Sequence, residues 1–256
     1  MEFTWQSRID ILQTHHKNTI FFTDAITEES FSYGELFVQT RFIYDAIKTS
    51  LPGELIGLML TKPSHYLPCL LACWQAGCTA VILDPETTEH RFEQLKPTLS
   101  LAYVLKDSTK TKQPSNVTCL NILERERTAN LQQNIRISLS EEESPALILF
   151  SSGTTGAPKC IPLSLRNIAH NILCFKETLG ISGQESFLST SPLYYAHGLY
   201  NGLLSAFFLM KPIVYGFPLN LLTAKKILAT AKKHQSSIYH ITPSMIPILV
   251  VMGTKA

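Results

Sequence analysis

Among six cysteines the sequence holds no Cys-x-x-Cys pair, and its eight histidines include no His-x-x-x-His. Neither a zinc ribbon nor a helical two-histidine site is written into it, and no metal ligand set is expected. An excess of one charge is also lacking. Lys plus Arg number 22 against 20 Asp plus Glu, a net charge of +2, which leaves no broad basic face and argues against nucleic acid as a partner. Charged residues make up only 16% of the 256 and hydrophobic ones 45%, which excludes a disordered tail, a collagen-like fibre and a coiled coil. At the N-terminus no long apolar run exists, because Glu2, Arg8 and Asp10 interrupt MEFTWQSRIDILQTHHK where a secretory signal needs an unbroken one. A cytoplasmic protein with reduced thiols is expected, in which the sequon at Asn116 is idle.

One stretch is long enough to test as a membrane span: Pro63 to Leu83 contains no Asp, Glu, Lys or Arg. His65, Pro68, Gln75 and Gly77 punctuate it, Leu67, Leu70, Leu71 and Trp74 keep helical spacing, and Thr79 to Leu83 turns β-branched and apolar. A buried helix followed by a buried strand fits better than a span. Cys69 and Cys73 then read as small hydrophobes of that helix.

Elsewhere apolar runs of strand length alternate with stretches of helical period, the signal of βαβ units. The class is α/β, with mainly parallel sheets flanked by helices. Helices are expected near Glu35 to Ile47, Thr87 to Leu95, Leu165 to Leu179, Leu199 to Leu209 and Leu221 to His234, and strands near Leu55 to Leu60, Leu101 to Leu105 and Pro145 to Phe150. FLSTS, PIVYG and SIYHI supply further short strands. Residues 106–143 are the most polar part and read as loop and edge structure. They divide a first α/β part, about 1–143, from a second, about 144–256. The lysines Lys225, Lys226, Lys232 and Lys233 read as the wet face of an amphipathic helix.

The chemistry concentrates in SSGTTGAPK, where an apolar strand runs into Ser151, Ser152, Gly153, Thr154, Thr155, Gly156, Ala157, Pro158 and Lys159. Two glycines allow positive φ, so successive N–H groups can turn into one concavity. Four hydroxyls add donors and Lys159 adds a positive charge, a combination suited to a polyphosphate. The common P-loop ends in Gly-Lys-Ser/Thr; here Pro158 precedes the lysine.

This loop resembles the phosphate loop of the adenylate-forming superfamily: acyl-CoA synthetases, firefly-type luciferases and peptide-synthetase adenylation domains. SYGEL at Ser32 to Leu36, LDP followed by Arg91, SPLYYAHGLYNG and IYHITPSM resemble further segments of that family in the same order. The chain departs from it at Tyr194 and Tyr195, where the family often has Phe-His, at Leu165, where it often has His, and at Ile82, where it usually has Pro.

The resemblance implies the large N-terminal domain of such an enzyme, present in part, and a two-step reaction. A carboxylate attacks the α-phosphate of Mg-ATP to give an acyl-adenylate and pyrophosphate; a thiol, CoA or phosphopantetheine, then takes the acyl group. It assigns Thr154, Thr155 and Lys159 to the phosphates, with Ser151, Ser152, Gly153 and Gly156 shaping the cradle. It places Tyr194, Tyr195, His197 and Gly198 at the pocket for a small-molecule carboxylate, the glycine giving the substrate room. The family's Tyr-Gly-x-Thr-Glu motif, its magnesium ligand, its ribose-binding aspartate and the lysine of its mobile C-terminal domain would all follow Ala256. The 256 residues alone are therefore expected not to complete adenylation, and an exposed sheet edge is expected to favour self-association or a companion chain. A subunit of a split enzyme, a non-catalytic nucleotide-binding relic and a peptide-synthetase-type domain are the alternatives.

Overall fold

The computed structural model describes residues 4–95, 99–109, 117–123, 134–140, 142, 144–151 and 159–253. In chain order its helices are α1 (Trp5–His15), α2 (Tyr33–Ile47), α3 (Pro63–Gln75), α4 (Glu89–Leu95), α5 (Leu165–Leu179), α6 (Ser205–Phe208), α7 (Ala224–Lys233) and α8 (Ile246–Gly253). A π-helix, His197–Leu204, precedes α6. The strands are β1 (Ile20–Asp24), β2 (Ser30–Ser32), β3 (Leu55–Met59), β4 (Thr79–Ile82), β5 (Leu101–Lys106), β6 (Thr118–Asn121), β7 (Pro145–Phe150), β8 (Cys160–Ser164), β9 (Phe187–Ser189), β10 (Ile213–Tyr215) and β11 (Ile238–Tyr239).

The chain forms two units, residues 1–15 with 35–170, and residues 16–34 with 171–256. None of the three boundaries coincides with the change of composition near 143. The physical reason is strand pairing: β7 pairs in parallel with β4, so the segment after 143 completes the sheet begun before it.

In the first unit six strands run in the order β6-β5-β3-β4-β7-β8, all parallel except the β7–β8 hairpin. The polar segment supplies its edge strand, β6. Between β3 and β4 the strand order changes direction. Right-handed crossovers place α3 and α4 on opposite faces there, which opens a crevice at the carboxyl ends of the strands. The uncharged stretch is core: α3 is buried from Tyr66 to Gln75. Pro63 opens it, where a missing N–H costs nothing, and Gly77 at φ +73° ends it, letting the Cys78 amide return to the Cys73 carbonyl at 2.9 Å. Trp74 donates its indole N–H to the Ala146 carbonyl and Trp5 donates to that of Leu165. The two indoles meet edge to face at 5.0 Å. On the sheet, Met59, Val81, Leu83, Val104 and Ile148 pack with Phe92 of α4.

In the second unit five strands run in the order β11-β9-β10-β1-β2, parallel except for β1 with β2. Ile227 of α7 packs on Leu188 and Val214, while Lys225, Lys226, Lys232 and Lys233 are exposed. Among the described residues no helix is long and apolar enough to cross a membrane.

Candidate functional site

The strand that leads into the Ser/Thr/Gly loop is β7, and β8 leads out of it. Phe150 lies opposite Cys160 in this hairpin, and one step further the Ser151 amide donates to the Lys159 carbonyl at 3.0 Å. Ser151 and Lys159 thus form the closed mouth of the loop. Ser152, Gly153, Thr154, Thr155 and Gly156 lie outside the described residues. The Lys159 side chain is exposed, and no ion pair engages its ammonium among the described residues.

Because β7, β4, β3 and β5 are parallel, their carboxyl ends share one rim. Adjacent strands lie about 4.8 Å apart, which sets β3 about 10 Å from β7. On this rim stands a cluster that sequence reasoning missed. The Asp107 carboxylate, just past β5, accepts from the Thr61 amide (2.8 Å), the Thr61 hydroxyl (2.9 Å), the Lys62 amide (2.8 Å) and His65 Nδ1 (3.0 Å). Burial alone pushes this carboxyl up, but the hydrogen bonds from His65, Thr61 and Lys62 outweigh it and hold it below the usual range. The same bonds fix the entry into α3. A cleft of about 210 Å³ opens beside α4 between Phe92, Leu95, Leu101 and Val117; none of the candidate site residues read from the sequence is among those lining it.

In the second unit the segment after β9 carries the remaining candidates. Tyr194 and Tyr195 touch ring to ring, with centroids 4.5 Å apart, and Tyr195 is 56% exposed. A Cβ on Gly198 would stand 2.5 Å from the Pro192 carbonyl oxygen and 2.6 Å from that of Ser191. The space this glycine makes is filled by the backbone of Ser191 and Pro192. His197 opens the π-helix, a form often found at functional sites. Its ring meets that of His240, just past β11, at 6.1 Å and 80°. The Nε2 atoms of both histidines are sealed from solvent without a hydrogen-bond partner among the described residues. Phe175 and Phe187 flank the His240 ring at 5.0 and 5.6 Å. Burial, with a smaller contribution from His197, pushes His240 down to about 4, so it is neutral at pH 7. His240 escaped sequence reasoning because IYHI reads simply as a buried strand.

The cysteines are all free, and Cys69 and Cys73 are buried in α3; burial pushes both thiols up, as fits small core residues.

The family model described as AMP-binding enzyme matches residues 12–256. Among curated relatives, Delta-poly-L-ornithine synthetase of Acinetobacter baumannii (strain AB307-0294) is 22% identical over 224 residues, covering 86% of this chain and 17% of the relative. 2-Succinylbenzoate–CoA ligase of Bacillus subtilis (strain 168) is 24% identical over 230 residues, covering 87% and 46%. The chain therefore spans less than half the length of these two relatives. Among solved structures, O-succinylbenzoate coenzyme A synthetase from Bacillus subtilis in complex with AMP superposes with a TM-score of 0.80 at 20% identity, over 96% of this chain and 64% of that one. This likeness establishes the fold: two helix-flanked sheets of the kind found in the N-terminal portion of adenylate-forming enzymes.

Proposed function

Since the chain belongs to the AMP-binding enzyme family, we propose that it supplies the N-terminal part of an ATP-dependent ligase that activates a small-molecule carboxylate. The observation that carries this reading is the β7–β8 hairpin, closed at Ser151 and Lys159 at the carboxyl rim of a parallel sheet. The mouth fits a polyphosphate: the exposed Lys159 side chain follows a segment whose sequence is rich in hydroxyls and glycine. Thr154, Thr155 and Lys159 hold and screen the β- and γ-phosphates, and Ser151, Ser152, Gly153 and Gly156 shape the backbone around them, a contribution of positioning and charge stabilisation. Mg-ATP supplies an electrophilic phosphorus and a leaving group. A carboxylate oxygen bonds to the α-phosphorus as the bond to pyrophosphate breaks, and AMP then leaves readily from the mixed anhydride. Tyr194 and Tyr195 wall the carboxylate pocket, with His197 and Gly198 at its base. A CoA or phosphopantetheine thiol is the acceptor, a reading supported by the names of the CoA ligases among the relatives. The free cysteines support a cytoplasmic setting.

The 256 residues bind nucleotide without completing the exchange of pyrophosphate into ATP. Calorimetry with Mg-ATP tests this: Lys159→Ala is expected to weaken binding tenfold or more. Unchanged binding would remove the lysine from the site, and carboxylate-dependent exchange by the pure chain would overturn the incompleteness. A companion chain or second copy belongs to the same reading. Ile246, Val250 and Val251 of α8 are 47%, 57% and 50% exposed, and β11 pairs only with β9 among the described strands. Light scattering that finds a monodisperse monomer would count against it.

A further inference from the structure

Buried polar atoms in folded proteins almost always have partners, and those without one call for an explanation. His197 and His240 leave two such atoms on rings that approach each other. Both Nε2 nitrogens are sealed and without a partner among the described residues, and the ring centroids stand 6.1 Å apart, the planes almost perpendicular. We infer that His197 and His240 together receive one neutral oxygen group, a hydroxyl or carbonyl, carried by the acid away from its reacting carboxylate. The inference rests on the reading of Tyr194 to Gly198 as the start of the carboxylate pocket, and it narrows the substrate to acids with an oxygenated tail.

The chemistry favours oxygen. A hydroxyl both donates and accepts, so it serves both nitrogens whenever at least one Nε2 carries a proton, and a carbonyl serves them when both do. Phe175 and Phe187 flank the His240 ring, leaving its in-plane nitrogens as its polar reach. A plain hydrocarbon tail would keep both nitrogens sealed and unsatisfied, and discrimination of this kind is large where a site is built around a hydrogen-bonding group. The neutral state of His240 argues for an uncharged ligand group, because that imidazole then supplies no countercharge to a desolvated anion.

The test uses the full 256-residue chain labelled with ¹⁵N, long-range ¹H–¹⁵N spectra of the imidazoles, and four probes: 4-(4-hydroxyphenyl)butanoate, its deoxy twin 4-phenylbutanoate, phenol and benzene. The hydroxylated acid is expected to bind at least tenfold more tightly than its twin and to move the Nε2 resonances of both His197 and His240, and H240F should bind the two acids equally. Equal binding of both acids by the unsubstituted chain would overturn the inference while leaving the pocket reading in place. If neither acid binds but phenol moves both imidazoles where benzene does not, the oxygen site stands and the carboxylate pocket falls. If none of the four probes moves either imidazole, the inference is overturned.

Discussion

Asp107 and His65 come from segments 42 residues apart and meet at 3.0 Å, where the carboxylate also gathers the amides of Thr61 and Lys62. Removing the charge leaves these donors facing an amide that brings N–H groups of its own. Asp107→Asn is therefore expected to lose about 2–4 kcal/mol at pH 7. The sign of the pH dependence follows from the direction of the shift. The folded carboxyl titrates below its unfolded value of about 3.9, so its contribution is complete above that value and is lost as pH falls through the folded one. Urea unfolding at pH 7 and pH 3 should show the gap between wild type and variant narrowing at pH 3. A gap of constant size would refute the assignment of this acid limb to Asp107.

Tyr33 presents the opposite case. Its ring stacks on Phe21 at 4.9 Å and meets Phe207 at 6.1 Å, but its hydroxyl is sealed without a partner among the described residues. Tyr33→Phe retains the ring contacts and removes the unsatisfied group, so a gain of about 1 kcal/mol is expected, seen as a melting temperature about 2–4 °C higher. A lower melting temperature would show that the hydroxyl is satisfied in solution.

These two residues also show what a sequence reveals. Periodicity finds elements whose burial is one-sided or complete, and α5, α3, β7 and β5 were legible for that reason. α1 was missed because WQSRIDILQTH mixes buried and polar residues with little helical contrast, and β1 and β2 because they are short strands closed by a local turn. The hairpin around the Ser/Thr/Gly loop was legible because its chemistry is local in sequence. The Asp107 cluster and the His197–His240 pair were not, since each depends on strand order that brings distant segments together. The discontinuous units escaped for the same reason: the pairing of β7 with β4 is decided by the sheet and leaves no mark in composition.

Gly198 separates the sequence argument from the packing argument. The family resemblance makes it a source of room for substrate, whereas a Cβ there would stand 2.5 and 2.6 Å from two backbone carbonyl oxygens. Backbone cannot swing aside as a side chain can. Gly198→Ala is expected to destabilise the ligand-free chain by about 2–4 kcal/mol. Thermal unfolding without ligand decides the matter, for a variant as stable as wild type would return the glycine to the pocket alone.

The His240 imidazole gives the fold a second pH window, above that of Asp107. Unfolded, a histidine takes up its proton near pH 6.5; folded, His240 does so only near 4. As pH falls from about 6.5 to 4 the unfolded state binds a proton that the folded state refuses, so stability declines across that interval and levels off below it. The shift, reduced for the solvent access the ring retains, corresponds to on the order of 2 kcal/mol. His240→Phe places a ring of similar size between Phe175 and Phe187 and removes the titration. Urea unfolding at pH 7, 5.5 and 4.5 is expected to show wild type losing more stability than the variant, and most of the difference accumulating by pH 4.5. Parallel profiles would mean that the imidazole gains a proton and a partner in the folded state, and that the nitrogens seen sealed are reached by solvent.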